Sequence, residues 1–363
     1  MCDKKGKIMK ILHVGEYASG GVATYLNTLL NGFKDYNDIE NYLLISEYKS
    51  EKKWNITNSN VIYYKYKRSV FNIFSAIKQI HDVIKRIEPD IIHVHSSWAG
   101  LFVRLPYLIK RKKCKIIYTA HGWSFIMDVS KKKKFLYAIV ERILSIITDK
   151  IINISKFEEK EALSYGLNKK KMVIIYNGVK DKNYNIKYST DESNNKIKLL
   201  FVGRLDKTKG IDILLDIYDK YRFENLHLYI IGESVLDNIK IKSDDNITYL
   251  GWIDNKDIDK YYQMCDIVVM PSRWDGFGLV AVEAMRNSKP VIVSNRGALP
   301  ELVKNGINGY IFKLDEENSL KNILLNLDKN FLKKMGMRGR NIYLENFTDK
   351  IFVKNIYNLY KNI

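Results

Sequence analysis

The chain has 363 residues, which is too many for one ordinary hydrophobic core, so two domains are expected. Hydrophobic residues make up 46% of it, which excludes a disordered chain, and only five prolines occur, which excludes an extended Pro-rich linker. The formal net charge of +19 is uneven, because residues 1–190 carry 34 Lys and Arg against 17 Asp and Glu, whereas residues 191–363 carry 26 against 24. The first half is expected to face an anionic partner, a nucleic acid or an acidic membrane surface, unless the extra lysines only solvate it.

Three scattered cysteines, Cys2, Cys114 and Cys265, have no paired spacing. They fit a reducing compartment and exclude a thiolate zinc site, so a cytoplasmic location is expected. The apolar run near the N-terminus is too short for a signal peptide and predicts a first buried strand. No stretch of about 18 uncharged apolar residues occurs, so the sequence predicts no membrane span.

Residues 1–180 alternate between short apolar runs and amphipathic segments. Strands are predicted at KILHVGEY, DIIHVHS, KIIYTA, KIINIS and MVIIYNG, and helices at segments such as GGVATYLNTLLNGF and KKKFLYAIVERILSIIT. Strands this apolar are buried on both faces. With helices between them, they imply an α/β domain with a parallel, doubly wound sheet.

Residues 181–196 are polar and rich in Asn, Ser and Asp, which predicts a linker. The alternation resumes over residues 197–346, with strands predicted at IKLLFVG, LHLYIIGES, ITYLGWI, DIVVMPS and PVIVSN. We therefore expect two Rossmann-like domains, residues 1–180 and 197–346, that face each other across a cleft. Ligands of such sheets bind beyond the C-terminal ends of the strands, which would place the site in that cleft.

Two basic residues follow the first predicted strand of the second domain. In LLFVGRLDKTKG, Arg204 and Lys209 lie on the loop between the strand and a helix that begins near Gly210. A guanidinium and an ammonium beside a helix N-terminus make an anion site, most naturally for a diphosphate. The alternative is a pair of exposed cations on a loop.

The segment RWDGFGLVAVEAM, residues 273–285, has the same strand-loop-helix order. Asp275 precedes Gly276, Phe277 and Gly278, whose backbone N–H groups are expected at the N-terminus of a helix beginning near Leu279. Glu283 lies more than one turn into that helix. Carboxylates accept hydrogen bonds from vicinal hydroxyls, so the two acids could hold a sugar and a ribose.

Histidines follow two predicted strands of the first domain. His121, in YTAHGWSF, could bond a substrate hydroxyl or take a proton, although a lone histidine is more often structural. His93 and His95 share one face of a strand end. No carboxylate or cysteine partners them at a metal-binding spacing, so packing or cleft lining is favoured over a metal site.

Two weaker patterns complete the candidates. Gly20 and Gly21 follow the first strand and predict a tight turn into a helix that could admit a phosphate-bearing ligand. Asp257 and Asp259 form an Asp-x-Asp that falls in a segment with helical spacing, so they are interpreted as a solvated helix face rather than a divalent-ion site.

Two basic clusters, residues 110–113 and 131–134, stand out in the first domain. The second precedes the amphipathic segment FLYAIVERILSIIT. Basic residues beside aromatic and aliphatic ones suit a surface helix on anionic lipid. They equally suit a solvated helix start above a stripe that faces the core.

Together these motifs resemble glycosyltransferase family 4, whose members are retaining sugar-nucleotide transferases with the GT-B fold. The segments GGVATYLNTLL, PDIIHVHS, YTAHG, DKIINISKFEEKEALSYGL and VIIYNGV resemble its acceptor domain. The segments LLFVGRLDKTKGIDILL, YIIGES, YLGWI and DIVVMPSRWDGFGLVAVEAMRNSKPVIVSNRGALPELVKNGINGYIF resemble its donor domain. The resemblance covers nearly the whole chain. It implies that residues 347–363 form a helix that crosses back onto the first domain.

The resemblance implies a role for each matching residue. Arg204 and Lys209 match the basic pair that grips the donor diphosphate, and Glu283 matches the second acid of the family's Glu-x7-Glu motif, which holds the ribose. Asp275 stands where the first acid is usually Glu, and Ser288 stands where a glycine is usual. Gly20 and Gly21 match a loop under the donor phosphates, and Gly276, Phe277 and Gly278 match the loop that contacts donor sugar and phosphate. His121 matches a histidine near the reacting sugar. Trp252 and Ile253 match residues that line the nucleobase.

The family resemblance implies transfer of a sugar, expected to be a hexose, from a nucleotide-diphosphate sugar to a lipid-linked or polysaccharide acceptor by front-face displacement with retention. No cofactor and no metal are expected, because two cations and a helix N-terminus can stabilise the diphosphate charge. The expected partners are the nucleotide sugar, the acceptor and anionic lipid at the inner face of the plasma membrane, with no nucleic acid. The alternatives are a sugar-nucleotide epimerase of the same fold, a nucleic-acid-binding protein and a non-catalytic partner of an active transferase.

Overall fold

The computed structural model describes residues 7–182, 196–234 and 244–363. Most of the predicted linker, residues 181–196, lies outside the described residues. The chain forms two compact units. Unit 1 is residues 1–180 with 349–363, and unit 2 is residues 181–348.

Unit 1 is built on a parallel sheet. Its strands are β1 (Met9–Gly15), β2 (Ile39–Ser46), β3 (Val61–Tyr64), β4 (Ile91–His95), β5 (Lys115–Thr119), β6 (Lys150–Asn153) and β7 (Met172–Ile174). Its helices are α1 (Gly20–Gly32), α2 (Ile73–Ile87), α3 (Ser97–Arg104), α4 (Lys131–Ser145), α5 (Lys156–Ser164) and α12 (Asp349–Lys361). Within the described residues the strand order is β3-β2-β1-β4-β5-β6-β7.

Helices cover both faces of this sheet. On one face, α2 contributes Ala76 and Ile80 to a core that also holds Trp123 and Phe125. On the other face, α1 and α12 pack together over the sheet. Gly32 of α1 lies so close to α12 that an added Cβ would stand 2.4 Å from a methyl carbon of Val353.

Unit 2 repeats the architecture. Its strands are β8 (Ile197–Val202), β9 (Leu226–Ile231), β10 (Ile247–Gly251), β11 (Ile267–Met270), β12 (Val291–Ser294) and β13 (Gly309–Phe312). Its helices are α6 (Ile211–Tyr221), α7 (Ile258–Met264), α8 (Leu279–Arg286), α9 (Leu299–Leu302), α10 (Glu317–Leu325) and α11 (Lys329–Asn346). Over the described residues the strands run β10-β9-β8-β11-β12-β13, all parallel.

The predicted α/β class with two parallel, doubly wound sheets is confirmed. Strands β2, β3 and β13 are absent from the predicted elements, because each is short or interrupted by polar residues. In each sheet the strand order reverses between two neighbours, β1 and β4 in unit 1 and β8 and β11 in unit 2. Connections leave such a pair in opposite directions, so the loops after these strands leave room for a ligand. No described helix combines the length and apolarity needed to cross a membrane.

Candidate active site

The loop after β8 is shaped by a buried carboxylate. Asp206 accepts the backbone N–H of Lys209 at 2.9 Å, and its carbonyl accepts the N–H of Gly210 at 3.2 Å. Arg204 Nε lies 3.1 Å from Asp206 Oδ2, while the guanidinium side chain stays exposed. Asp206 therefore fixes the turn that presents Arg204 and Lys209, a role that the sequence analysis did not assign to it. The sequence does contain a signal for this turn, because Asp side chains often accept the backbone N–H of the residue two or three positions later.

The loop after β11 meets the first loop through an ion pair. Lys209 Nζ donates to Asp275 Oδ2 at 2.7 Å, and Phe277 N–H donates to Asp275 Oδ1 at 3.2 Å. The backbone carbonyl of Asp275 accepts the N–H of Ala298 at 3.0 Å. Hydrogen bonds therefore fix both the carboxylate and the backbone carbonyl of Asp275, and the carboxylate is held beside the ammonium of Lys209.

Two further contacts lock the loops together. Gly210 adopts φ +74°, and an added Cβ would stand 1.9 Å from the carbonyl oxygen of Pro271, so only glycine fits. Arg273 donates to both carboxylate oxygens of Asp212 on α6, at 2.7 and 2.8 Å, and to the carbonyl oxygen of Lys207 at 2.6 Å. Arg273 therefore holds the loop after β11 against α6 and the loop after β8. It is part of the sequence motif, but the sequence does not indicate these partners.

Gly278, the last glycine before α8, is needed for packing. Gly278 has φ +96°, and an added Cβ would stand 2.8 Å from Leu299 and 3.0 Å from Leu302. The space beside it is filled by protein, so its lack of a Cβ is required by the fold. Phe277 is buried, with its ring 6.1 Å from that of Phe347, and a ligand would meet its backbone rather than its ring.

Glu283 lies on the second turn of α8 and is held by α7. Its Oε2 accepts from the Tyr262 hydroxyl at 2.8 Å. Burial raises the pKa of Glu283, and the bond from Tyr262 opposes that rise. One carboxylate oxygen is thereby oriented by the protein.

The predicted nucleobase residues follow β10 directly. The Trp252 side chain is 66% exposed, and Ile253 is partly exposed. An exposed indole at a strand end offers a flat face to a planar ring.

On unit 1, Gly20 and Gly21 are the first two residues of α1, so the predicted turn is the helix start itself. Both are exposed, and an added Cβ at Gly20 would meet nothing within 4 Å. His121 follows β5 with φ +53°, in the left-handed region that residues other than glycine adopt infrequently.

His121 ends a chain of hydrogen-bonded side chains. Its Nε2 lies 3.0 Å from His95 Nδ1, and His95 Nε2 lies 3.2 Å from His13 Nδ1. His13 Nε2 lies 3.1 Å from Asn41 Oδ1. Burial lowers the pKa of His13 to about 4 and that of His121 to about 3, so both are neutral near pH 7.

His93 and His95 are fully buried, as expected for packing residues. His93 bonds the Tyr360 hydroxyl at 2.6 Å and Thr119 Oγ1 at 2.8 Å. His13 joins them from β1, a neighbour that spacing along the chain cannot reveal. The ring nitrogens of these three histidines lie close enough to hold a metal ion, but every one already has a hydrogen-bond partner.

The predicted solvated face is wrong for Asp259, whereas Asp257 is exposed as predicted. Asp259 is 3% exposed on α7 and pairs with Arg286 and Lys182, while Asn287 Nδ2 donates to it at 3.0 Å. The helical spacing was right, but the face carrying Asp259 turns toward the end of α8. A buried carboxylate with several donors is a structural anchor.

Two family matches divide the chain between them. Residues 19–183 match the family described as Glycosyltransferase Family 4, and residues 183–341 match the family described as Glycosyl transferases group 1. Among solved structures, the fold resembles sucrose-phosphate synthase from Thermosynechococcus elongatus, with a TM-score of 0.80, 19% identity and 98% of each chain covered. Anabaena HepE in complex with UDP-glucose gives a TM-score of 0.78 at 19% identity, covering 98% of this chain and all of the other.

Relatives match over most of the sequence. An uncharacterized 41.2 kDa protein in the cps region of Klebsiella pneumoniae is 35% identical over 98% of this chain and 100% of its own. The uncharacterized glycosyltransferase MJ1178 of Methanocaldococcus jannaschii is 31% identical over 92% of this chain and 93% of its own. An Escherichia coli UDP-Gal:alpha-D-GlcNAc-diphosphoundecaprenol alpha-1,3-galactosyltransferase is 27% identical over 80% of each chain. On these matches the chain belongs to glycosyltransferase family 4 and is a glycosyltransferase of the GT-B fold.

Proposed function

We propose that the chain is a retaining hexosyltransferase that moves a sugar from a nucleoside-diphosphate sugar to a hydroxyl of a lipid-linked or polysaccharide acceptor. The observation that carries this proposal is the arrangement of Arg204, Lys209 and Asp275 on adjacent loops of unit 2, beside the N-terminus of α8. The E. coli relative is named for UDP-Gal and a diphosphoundecaprenol-linked sugar, and Anabaena HepE for its complex with UDP-glucose, which supports these substrate classes.

The basic pair is assigned to the donor diphosphate. Arg204 is exposed and planar, so it can bind two phosphate oxygens, and Lys209 can exchange its bond to Asp275 for one to phosphate. Negative charge grows on the leaving diphosphate during transfer, and two fixed cations stabilise it most at that stage. Because these cations supply the charge that a divalent ion would otherwise supply, we propose that transfer is metal-independent.

The acids and the exposed aromatic are assigned to the rest of the donor. Asp275 and the backbone of residues 276–278 would contact the sugar, and Glu283 would accept hydrogen bonds from the ribose hydroxyls. Trp252 and Ile253 would line the nucleobase. On unit 1, the assignments are Gly20 and Gly21 to phosphate and His121 to a hydroxyl of the reacting sugar.

Retention is proposed to arise from front-face displacement. The acceptor hydroxyl forms a bond to the anomeric carbon on the same face from which the diphosphate departs. The bond between that carbon and the phosphate oxygen breaks with its electron pair on the diphosphate, and a departing phosphate oxygen takes the hydroxyl proton. The protein then acts by positioning and by stabilising charge.

Screening a panel of nucleotide sugars by thermal shift and then by turnover tests the proposal. At least one nucleotide sugar should stabilise the protein and be consumed in the presence of a lipid-linked acceptor. Arg204→Ala should weaken nucleoside-diphosphate binding about tenfold or more, since a charge-assisted bond contributes about 1.5–3 kcal/mol. Arg338→Ala, which removes an exposed arginine on α11, is the matched control and should leave binding unchanged. A protein that no nucleotide sugar stabilises, or an Arg204→Ala variant that binds normally, would refute the donor assignment.

The surface of unit 1 around α4 supports a membrane location. The apolar stripe, defined as Phe135, Leu136, Ile143 and Ile146, is exposed, with Ile146 at 70% and Phe135 at 63%. The opposite side of α4 is the buried one and includes Ala138 and Leu144. Helix α4 therefore has a face that packs on the core, as one alternative expects, and a second apolar face that is exposed.

Basic residues lie at both ends of the stripe. Residues 131–134 form the first turn of α4, and Lys112 of the other basic cluster donates to the carbonyl of Ile147 at 2.9 Å, just past the helix. Ile109, beside that cluster, is 88% exposed. Apolar side chains framed by lysines suit an interface with anionic lipid, which is enriched in the cytoplasmic leaflet. We propose that this surface rests on the inner face of the plasma membrane.

Vesicle sedimentation tests this location. The protein should bind phosphatidylglycerol vesicles and bind phosphatidylcholine vesicles weakly. Phe135→Ser with Ile143→Ser should reduce binding at least tenfold, while Leu325→Ser, a matched change at an exposed leucine of unit 2, should not. Equal binding by the stripe variant would exclude the surface. A concentration-dependent dimer that this variant abolishes would instead assign the stripe to a second copy.

A further inference from the structure

Four histidines of unit 1, His13, His93, His95 and His121, lie close together at one face of its sheet. Register places His13 of β1 opposite His93 of β4, and Gly15 opposite His95. Alternate residues of a strand share a face, so His13, His93 and His95 point the same way, under α1 and α12. His121 lies just beyond β5, next to His95. The directed array is the hydrogen-bonded series of His121, His95, His13 and Asn41. Sheet faces are normally filled by apolar side chains, so buried imidazoles here need a reason.

The hydrogen bonds run in one direction. The amide oxygen of Asn41 can only accept, so His13 Nε2 carries its proton and donates it. Neutral His13 then accepts at Nδ1 from His95 Nε2–H, which leaves His95 Nδ1 as an acceptor. His95 Nδ1 in turn accepts from His121 Nε2–H.

The array also fixes the ring of His121 in place. The His95 ring stacks on it at 5.3 Å between centroids, and the Tyr25 ring meets it edge-on at 4.5 Å. Burial and neighbouring imidazoles lower the pKa of His95 well below its ordinary value, so the array stays neutral near pH 7. Among the described residues, His121 Nδ1 has no hydrogen-bond partner.

We propose that His95, backed by His13 and Asn41, is a positioning residue that holds His121 as its Nε2–H tautomer and leaves Nδ1 free to accept a hydrogen bond from a substrate hydroxyl. The role of His121 toward substrate rests on the proposed function. The tautomer itself does not, because it follows from the hydrogen bonds within unit 1. No proton is transferred along the array. Its effect is to set which ring nitrogen carries the lone pair.

Ring-nitrogen NMR on protein labelled with ¹⁵N-histidine tests the tautomer without any substrate. The chain has six histidines, so single substitutions can assign each ring. Near pH 7, His121 should appear as one neutral species protonated at Nε2. In His95→Leu it should appear as a mixture of tautomers. His95→Asn keeps an acceptor near the former Nδ1 position and should restore the single species.

Turnover gives the functional readout. His95→Leu should lower kcat about tenfold with the donor KM unchanged, and His95→Asn should recover most of that loss. Tyr360→Phe is the matched control, because it removes a buried hydrogen bond from His93, outside the directed array. It should lower stability while leaving kcat and the His121 tautomer unchanged. If His95→Leu does not fold, Asn41→Leu breaks the array at its partly exposed end and should give the same mixed tautomer.

The outcomes separate the two proposals. Wild-type His121 protonated at Nδ1, or a tautomer and kcat that are both unaffected by His95→Leu, would overturn the positioning role. A single Nε2–H tautomer that depends on His95, in a protein that transfers no sugar, would support the array and refute the proposed function.

Discussion

The pairing of Lys209 with Asp275 predicts that nucleotide binding and sugar transfer respond in opposite ways to one substitution. In the free protein, Lys209 Nζ donates to Asp275 Oδ2 at 2.7 Å. In the proposed donor site, a diphosphate would compete with Asp275 for that ammonium. Asp275→Asn removes the charge and leaves one amide oxygen where the carboxylate accepted from both Lys209 and Phe277, so it weakens the competing bond without emptying the site.

The expected magnitude follows from the geometry. Coulomb's law at 2.7 Å with an effective dielectric constant of about 20 gives roughly 6 kcal/mol of attraction before desolvation. Desolvation and side-chain ordering reduce the net value of such charge-assisted bonds to about 1.5–3 kcal/mol. Replacing the carboxylate by an amide should forfeit about half, near 1 kcal/mol. Free nucleoside diphosphate should therefore bind Asp275→Asn as tightly as wild type or up to about fivefold more tightly, while kcat falls about 100-fold.

Calorimetric titration with the nucleoside diphosphate, paired with initial rates, measures both quantities. Glu283→Gln is the contrasting variant and should weaken binding and lower transfer together, because its proposed partner is the ribose in both states. Lys209→Met should weaken binding and abolish the effect of Asp275→Asn in the double variant. The reasoning fails if Asp275→Asn weakens binding as much as Glu283→Gln does, or if its effect persists without Lys209.

Three further predictions concern stability. Gly210→Ala should destabilise unit 2 by more than about 3 kcal/mol, because the added Cβ would stand 1.9 Å from the Pro271 carbonyl oxygen. The thermal midpoint should fall strongly, and an unchanged midpoint would contradict this prediction. Ser288→Gly should stabilise by about 0.5–1 kcal/mol, since Ser288 sits at φ +56° just past α8, and Ser288→Ala, which keeps the strain, should not. Burial lowers the pKa of His13 from 6.5 to about 4, so the unfolded chain binds the extra proton between these values. The contribution of His13, up to about 3 kcal/mol, is full above pH 6.5 and lost as the pH falls toward 4. Urea titrations across that range should show the loss, and His13→Asn should make it smaller by that amount, while His95 and His121, whose pKa values burial also lowers, keep the remainder.

The strand-loop-helix units of the candidate site in unit 2 could be predicted from the sequence. Apolar β-branched runs end where β8 and β11 end, and α6 and α8 begin within one residue of the predicted starts. Hydrophobic periodicity is a property of neighbouring residues, so it predicts where these strands end and these helices begin. Ser288 is a similar case, since the residue at that position must adopt a left-handed conformation and glycine does so most easily.

Contacts between distant segments could not be predicted. His13 and His95 meet because of strand register, across 82 positions, and Arg273 reaches Asp212 across 61. The spacing of these residues along the chain predicts neither contact. The exposure of the apolar stripe on α4 could not be predicted for a different reason. An amphipathic pattern identifies an apolar face but does not say whether that face meets the core or another surface.

The position of α12 has a consequence for synthesis. Unit 1 is completed by residues 349–363, whose Phe352 and Ile356 are buried against it, while unit 2 is one continuous segment inserted before them. During translation, all of unit 2 is synthesised before the helix that covers the histidine face of unit 1. Unit 1 therefore has only α1 on that sheet face until the last residues of the chain are made. A stop codon or frameshift after residue 348 would leave unit 2 whole and damage the unit that was made first.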